Sequence, residues 1–227
     1  MKLLELYAGS GSVGNVAREL GYEVFSVDWI AYENISLQKD ISTLAISDLP
    51  WIPDVVWKSP DCKTYSISAI STHRNKEDLS GKSEYAKQCD ITNIHTQNLL
   101  KELLVLNPNL IYYIENPRGG MRKMPFMEYY PIRHTVWYCQ YGDDRAKPTD
   151  IWTNNYGWEP RPECHNFKRN RITGEIIKHC HHESAPRGSR TGTQGRKGSY
   201  ERSKIPYELC LEVLTCEMTN RREKWKN

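Results

Sequence analysis

The stretch Leu3-Leu4-Glu5-Leu6-Tyr7-Ala8-Gly9-Ser10-Gly11-Ser12-Val13-Gly14 decides the fold. Its apolar start, residues 3–7, predicts a short strand. Glycines at 9, 11 and 14 then mark a turn, and a helical pattern follows to about Leu20, where Gly21 ends it. Gly9 and Gly11 allow a tight turn and the close approach of a ligand to the backbone. A second strand over residues 22–27 closes on Asp28, near the spacing at which an acid grips a ribose diol. Strand–helix packing or a dinucleotide site would show much the same glycines. A Walker-type phosphate loop is disfavoured because the Gly-Lys-Ser/Thr ending is absent.

Outward from this unit, residues 54–57 predict a third strand leading into Ser59-Pro60-Asp61-Cys62. Residues 71–87 are polar, without apolar periodicity, and are expected to form a long mobile loop. Residues 85–106 predict a helix with Ile91, Ile94, Leu99, Leu103 and Leu104 on one broad face, stopped by Asn107 and Pro108. Residues 110–114 form a buried strand ending on Glu115-Asn116-Pro117. Residues 134–140 and 148–153 predict further strand and turn, and residues 205–218 an amphipathic helix. Short strands joined by helical crossovers imply an α/β fold, a mostly parallel sheet with helices on both faces and a binding crevice at the carboxyl ends of the strands. Three such ends carry chemistry: residues 9–14, 60–62 and 115–117.

A chain of 227 residues suits one sizeable domain with at most a small appendage. Aromatics are weighted toward rings with a polar handle, 7 Trp and 14 Tyr against 3 Phe. No stretch approaches the roughly 18 consecutive apolar residues of a membrane span. The first residues lack a long apolar run and meet an acid at Glu5, so they read as the first strand of a cytoplasmic protein. Seven cysteines without a tight framework are expected to be reduced thiols. The net charge of +3 hides an uneven distribution. Residues 161–202 are crowded with Arg, Lys and His, either a solvated face or a surface that meets phosphates.

The opening residues, with Asp28 after them, resemble the S-adenosylmethionine site of the DNA cytosine C5-methyltransferases, and the later motifs follow in that family's order. The resemblance runs from Leu3 to about Cys216. It implies a Rossmann-like methyltransferase sheet with a catalytic domain at 1–156, a small basic target-recognition region at 157–200, and a C-terminal helix at 201–227 returning to the catalytic domain. It assigns cofactor contacts to Glu5, Tyr7, Ala8, Gly9, Ser10, Gly11, Asp28, Trp29, Asp40 and Pro60. In the family, the acid at the place of Glu5 lies near the methionine amine and that at Asp40 receives the adenine amino group. The loop around Cys62 resembles the family's Pro-Cys nucleophile loop. Lys63 is positioned to favour the thiolate, and Asp61, where a second proline is usual, is expected to point away.

Glu115-Asn116-Pro117 resembles the Glu-Asn-Val segment that contacts the target base, with Asn116 fixing the glutamate's orientation. In the segment 140–147, Arg145 is expected to hold the cytosine carbonyl or Glu115, and Lys147 to see phosphate. Residues 202–206 resemble the returning segment of the cofactor pocket, without the family's Asn-Ser pair. The implied reaction is methyl transfer to C5 of cytosine through a Cys62 adduct at C6. The target atom is inaccessible in a duplex, so base flipping is required, with residues 71–87 as lid or wedge. The expected partner is double-stranded DNA and the expected form a monomer, as in compact microbial, phage or viral enzymes of restriction–modification type. RNA or a free pyrimidine nucleotide as substrate, and a degenerate fold that only binds nucleic acid, are the alternatives.

Cys164-His165 and His179-Cys180-His181-His182 flank a hairpin-like stretch. Because Cys164 and His165 are adjacent and no Cys-x-x-Cys pattern occurs, a packed or DNA-contacting loop is favoured over a zinc site, and no metal ligand is assigned. The run 187–197 that follows suits phosphate and base-edge contacts.

Overall fold

The structure is a computed structural model that describes residues 1–164, 168–177, 180–182, 196 and 198–224. The basic run 187–197, except Arg196, therefore lies outside the described residues. Seven strands form one sheet: β1 (Lys2–Leu6), β2 (Glu23–Asp28), β3 (Leu37–Gln38), β4 (Val55–Lys58), β5 (Ile111–Pro117), β6 (Ile132–Trp137) and β7 (Pro148–Thr153). Their order is β3-β2-β1-β4-β5-β7-β6. The first five run parallel, whereas β7 is antiparallel to both β5 and β6. The helices are α1 (Ser12–Glu19), α2 (Ile70–His73), α3 (Glu84–Leu106), α4 (Ser199–Ser203) and α5 (Tyr207–Lys224), and β8 (Lys168–Arg169) pairs with β9 (Ile176–Ile177) as a small ribbon.

The period-2 geometry of strands splits the apolar residues between two cores. Leu3, Val55, Trp57, Tyr113 and Ile151 face α1 and α5, meeting Val13, Val16, Ala17, Leu209, Val213 and Leu214. Leu4, Leu6, Val56, Tyr112, Ile114 and Trp152 face α3, meeting Leu99, Leu100 and Leu103. Strands buried on both faces explain the near-continuous apolar runs of the sequence. The returning helix is tied in by Tyr22, whose hydroxyl donates to the Leu214 carbonyl at 2.8 Å. Among the described residues, no helix is long and apolar enough to cross a membrane.

Two expectations are corrected. The polar segment 71–87 is ordered into α2, a bridge between Arg74 and Gly81, and the start of α3. Arg74 organises it. Its buried guanidinium donates to Thr64 O, Thr64 Oγ1, Leu79 O and both oxygens of Asp90 at 2.9–3.0 Å, and lies 4.1 Å from the Tyr65 ring centroid. On α3, Ile91 and Ile94 are exposed, and Asn93, Thr96 and Gln97 are buried instead. The first half of this helix buries hydrogen-bonding groups because it runs beside the loop after β4. Asn93 donates to the Tyr65 hydroxyl at 3.0 Å, and Gln97 donates to Phe126 O at 2.9 Å.

Candidate active site

The chain order reverses between β1 and β4, so the carboxyl ends of these strands border the crevice of a doubly wound sheet. After β1, Tyr7, Gly9 and Gly11 adopt φ of 57°, 50° and 65°. That left-handed geometry suits glycine and strains Tyr7. The Ala8 N–H donates to Val27 O, and the Gly11 N–H returns to Ala8 O. Ser10 and Ser12 share a hydroxyl hydrogen bond at 2.8 Å. Asp28 fixes the turn, accepting from the Gly9 N–H at 2.9 Å and the Ile30 N–H at 3.0 Å. Beside it, the Trp29 indole is 69% exposed. Asp40 accepts from Ser42 N–H and Oγ at 2.9 and 2.8 Å, capping a short 3₁₀ turn.

Glu5 sits deeper than these. Burial raises its carboxyl above the usual range, against backbone bonds from Gly14 and Val13, the Ser26 hydroxyl at 2.9 Å and the Arg18 charge. A side chain at Gly14 would collide with this carboxylate. Glu5 therefore clamps the start of α1. The returning segment lies against the same loop, with the Ile205 N–H donating to Ser12 Oγ at 3.2 Å.

Across the crevice, β4 delivers Pro60 and Cys62, and the adjacent β5 delivers Glu115 and Asn116. Asn116 is fully buried and donates to the Pro60 carbonyl at 2.9 Å, so the two loops are locked together. A second lock is steric: a Cβ on Gly119 would stand 2.5 Å from the Tyr65 carbonyl oxygen, so only glycine fits there. Cys62 is half-buried at the head of the turn 63–65. Burial pushes its thiol up to about 11. Lys147 opposes this shift, and the Asp61 and Glu115 carboxylates add to it. Asp61 does turn aside, accepting from the Lys63 N–H and the Tyr85 hydroxyl, yet its charge still reaches the thiol. Lys63 is paired with Asp61 at 3.7 Å, so Lys147 is the cation that favours the thiolate.

Lys147, rather than Arg145, is the cation beside Glu115. Lys147 Nζ lies 4.0 Å from Glu115 Oε1 and 4.5 Å from the Tyr138 ring centroid. Burial lowers its ammonium pKa, and Glu115 and Cys62 oppose that change. Arg145 turns away from Glu115 because Asp143 captures its guanidinium in a bidentate pair at 2.8 and 2.5 Å. The remaining donors hold Arg202 O and Lys204 O at 3.4 and 3.1 Å. Arg145 thus anchors the returning segment beside the glycine loop. Tyr138, which no sequence motif singled out, donates its hydroxyl to Glu115 Oε1 at 2.9 Å. Only its place in an apolar run next to the basic motif could have flagged it.

Behind this wall, Cys164, Cys180 and His182 come together with Cys139, their ligand atoms all within 4.8 Å of one another. Sequence spacing missed Cys139, and His165 lies outside the described residues.

No family model matches the chain. It is 26% identical to the "Probable DNA (cytosine-5)-methyltransferase" of Frog virus 3 over 230 residues, covering 94% of this chain and 99% of the viral one. Among solved structures, it is similar to the Dnmt2 methyltransferase of S. pombe, with TM-score 0.49 and 16% identity over 78% of this chain and 57% of that one. It is also similar to the Entamoeba histolytica methyltransferase EhMeth, with TM-score 0.49 and 12% identity over 74% and 58% of the two chains. The chain therefore spans little more than half of these solved proteins but nearly all of the viral relative. Across its strand-end motifs and 94% of its length, the chain resembles the DNA cytosine C5-methyltransferases.

Proposed function

We propose that this protein methylates C5 of cytosine in double-stranded DNA, using S-adenosylmethionine, through covalent addition of Cys62 to C6. The observation that carries this reading is the locked pair of strand ends, which brings Cys62, Glu115 and Lys147 to one place. The glycine loop fits the cofactor. Two left-handed glycines leave backbone free of Cβ atoms, Trp29 offers an open indole face, and Asp28 and Asp40 stand at the ends of β2 and β3. When bound, S-adenosylmethionine supplies an electrophilic methyl group on a sulfonium.

The chain's own residues prepare the base. The Cys62 thiolate adds to C6, and the electron pair of the C5–C6 bond moves into the ring. Glu115, oriented by Tyr138, meets the ring at N3: its acid form gives N3 a proton as the added charge arrives and regains it when the thiolate leaves. Lys147 compensates the charge of Glu115 and stabilises the thiolate before attack. Once C5 carries the methyl group, loss of its proton to a base expels the thiolate and restores the aromatic ring. A base inside a duplex is out of reach of Cys62, so the cytosine is flipped into the crevice.

Labelled-methyl transfer to DNA, RNA and free cytosine nucleotides, followed by identification of the modified base, tests the assignment. The expected product is 5-methylcytosine in DNA, and Cys62→Ala is expected to abolish it while cofactor binding survives. Label on N4 of cytosine or N6 of adenine overturns the mechanism, and label confined to RNA or free nucleotide overturns the substrate.

A further inference from the structure

We propose that Cys139, Cys164, Cys180 and His182 form a structural zinc site that staples the segment after β7 to the wall of the catalytic crevice. Three thiols and one imidazole within 4.8 Å of one another are the soft, four-membered donor set that Zn²⁺ takes in tetrahedral sites. The dimensions agree. Zinc–sulfur and zinc–nitrogen bonds of about 2.3 and 2.0 Å at tetrahedral angles separate sulfur from nitrogen by about 3.6 Å. Cys164 Sγ and His182 Nδ1 stand 3.6 Å apart.

The surroundings are arranged for thiolates. The Gln140 side-chain amide donates to both Cys139 Sγ and Cys180 Sγ at 3.8 Å, and backbone N–H groups of His182 and His181 face the Cys180 sulfur. Such N–H donors to sulfur are the outer shell that orients and stabilises metal-bound thiolates. Cys180 and His182 are two residues apart, the spacing that sends both side chains to one side of an extended chain. His181, between them, bonds the Asp143 carbonyl at 2.9 Å instead. All seven cysteines are free thiols, so the three sulfurs of the cluster are open to a metal.

The location gives the ion a task. Cys139 belongs to the turn 138–141 that follows β6, one residue from Tyr138, the partner of Glu115. The other three ligands lie on the chain that carries the β8–β9 ribbon, whose strands are two residues each. A ribbon of that size does not hold its shape alone. Zinc would supply the missing cross-link and fix the segment beside the crevice.

The test is elemental analysis of the full chain, purified under reducing conditions without chelator. About one zinc per chain is expected. Cys139→Ser and Cys180→Ser should each lose it, Cys180→His should retain it, and Cys216→Ser, outside the cluster, should be unchanged. Circular dichroism of each variant separates ligand loss from unfolding. Cobalt substituted into the wild-type chain should give tetrahedral d–d and thiolate charge-transfer bands that Cys180→Ser abolishes. Metal-free folded protein whose cluster thiols all react with Ellman's reagent would overturn the proposal. So would a disulfide among these cysteines, or zinc that persists at full stoichiometry in both serine variants.

Discussion

Lys58 ends β4 immediately before the nucleophile loop, 2% exposed, and its hydrogen bond is a long one of 3.5 Å to the Asn93 carbonyl. Burial lowers its ammonium pKa from 10.5 to about 7. Because the unfolded chain holds this proton up to pH 10.5 and the folded chain releases it near pH 7, the group destabilises the fold most at and below pH 7. Its penalty fades as pH rises between the two values. A shift of 3.5 units corresponds to at most about 5 kcal/mol at about 1.36 kcal/mol per unit. Loss of the weak hydrogen bond reduces the gain from removing the charge by about 1 kcal/mol. Lys58→Met keeps the length of the side chain and deletes the ammonium, so it should stabilise the protein by about 3–4 kcal/mol near pH 6. The assay is urea denaturation of both proteins at half-unit steps from about pH 6 to pH 10. The difference should shrink by about 1.4 kcal/mol per pH unit above pH 7. A difference that stays constant with pH, or a destabilised variant at pH 6, refutes the account of Lys58 as a buried, nearly unpaired cation.

Three further outcomes follow from the site. With its thiol at about 11, Cys62 should react with iodoacetamide tenfold faster per pH unit up to pH 10. Lys147→Met should slow labelling of the Cys62 peptide severalfold at pH 8, and a rate plateau below pH 9 contradicts the buried-thiol reading. Gly119→Ala pushes a Cβ against the Tyr65 carbonyl and should lower methyl transfer at least about tenfold, with cofactor affinity retained. Wild-type turnover in that variant would show that the two loops need not be locked. Arg145→Gln leaves Asp143 without its bidentate partner and should cost about 3 kcal/mol at neutral pH by denaturant titration. In the wild type, burial raises the Asp143 pKa, but the Arg145 bonds and charge outweigh it and hold the carboxyl at about 2 against an ordinary 3.8. That contribution is present above pH 4 and is lost as pH falls through about 2, so the variant should show a flatter acid limb.

The fold was largely legible because strands and crossovers leave periodic traces. The glycine turn, the β4 and β5 runs and the returning helix each announced themselves through apolar residues on both sheet faces. Legibility failed where burial is polar. Residues 71–87 carry no apolar period, yet Arg74 replaces a hydrophobic anchor with five hydrogen bonds, and no propensity scale records that. The exposure of Ile91 and Ile94 has the same origin. A helical period places apolar residues inward, but the interior at that level is occupied by Asn93, Thr96 and the Asp90–Arg74 pair.

At the site, motif spacing identified the strand ends but not the direction of each side chain. Arg145 and Lys147 are two residues apart, and both are cations within reach of the crevice. Asp143 decides between them. Two residues before Arg145, it matches the guanidinium fork with two oxygens, a geometry an ammonium does not reproduce. With Arg145 committed to Asp143 and the carbonyls of the returning segment, the cation that serves Glu115 and Cys62 among the described residues is Lys147, held at a left-handed φ of 26°. A lysine suits that place because its ammonium is a point charge that serves thiolate and carboxylate at once. Lys147→Arg should therefore fail to restore the labelling rate of Cys62 that Lys147→Met removes. A planar fork would be drawn to Glu115 alone, and full recovery in the arginine variant would show that charge, not geometry, sets the reactivity of the thiol.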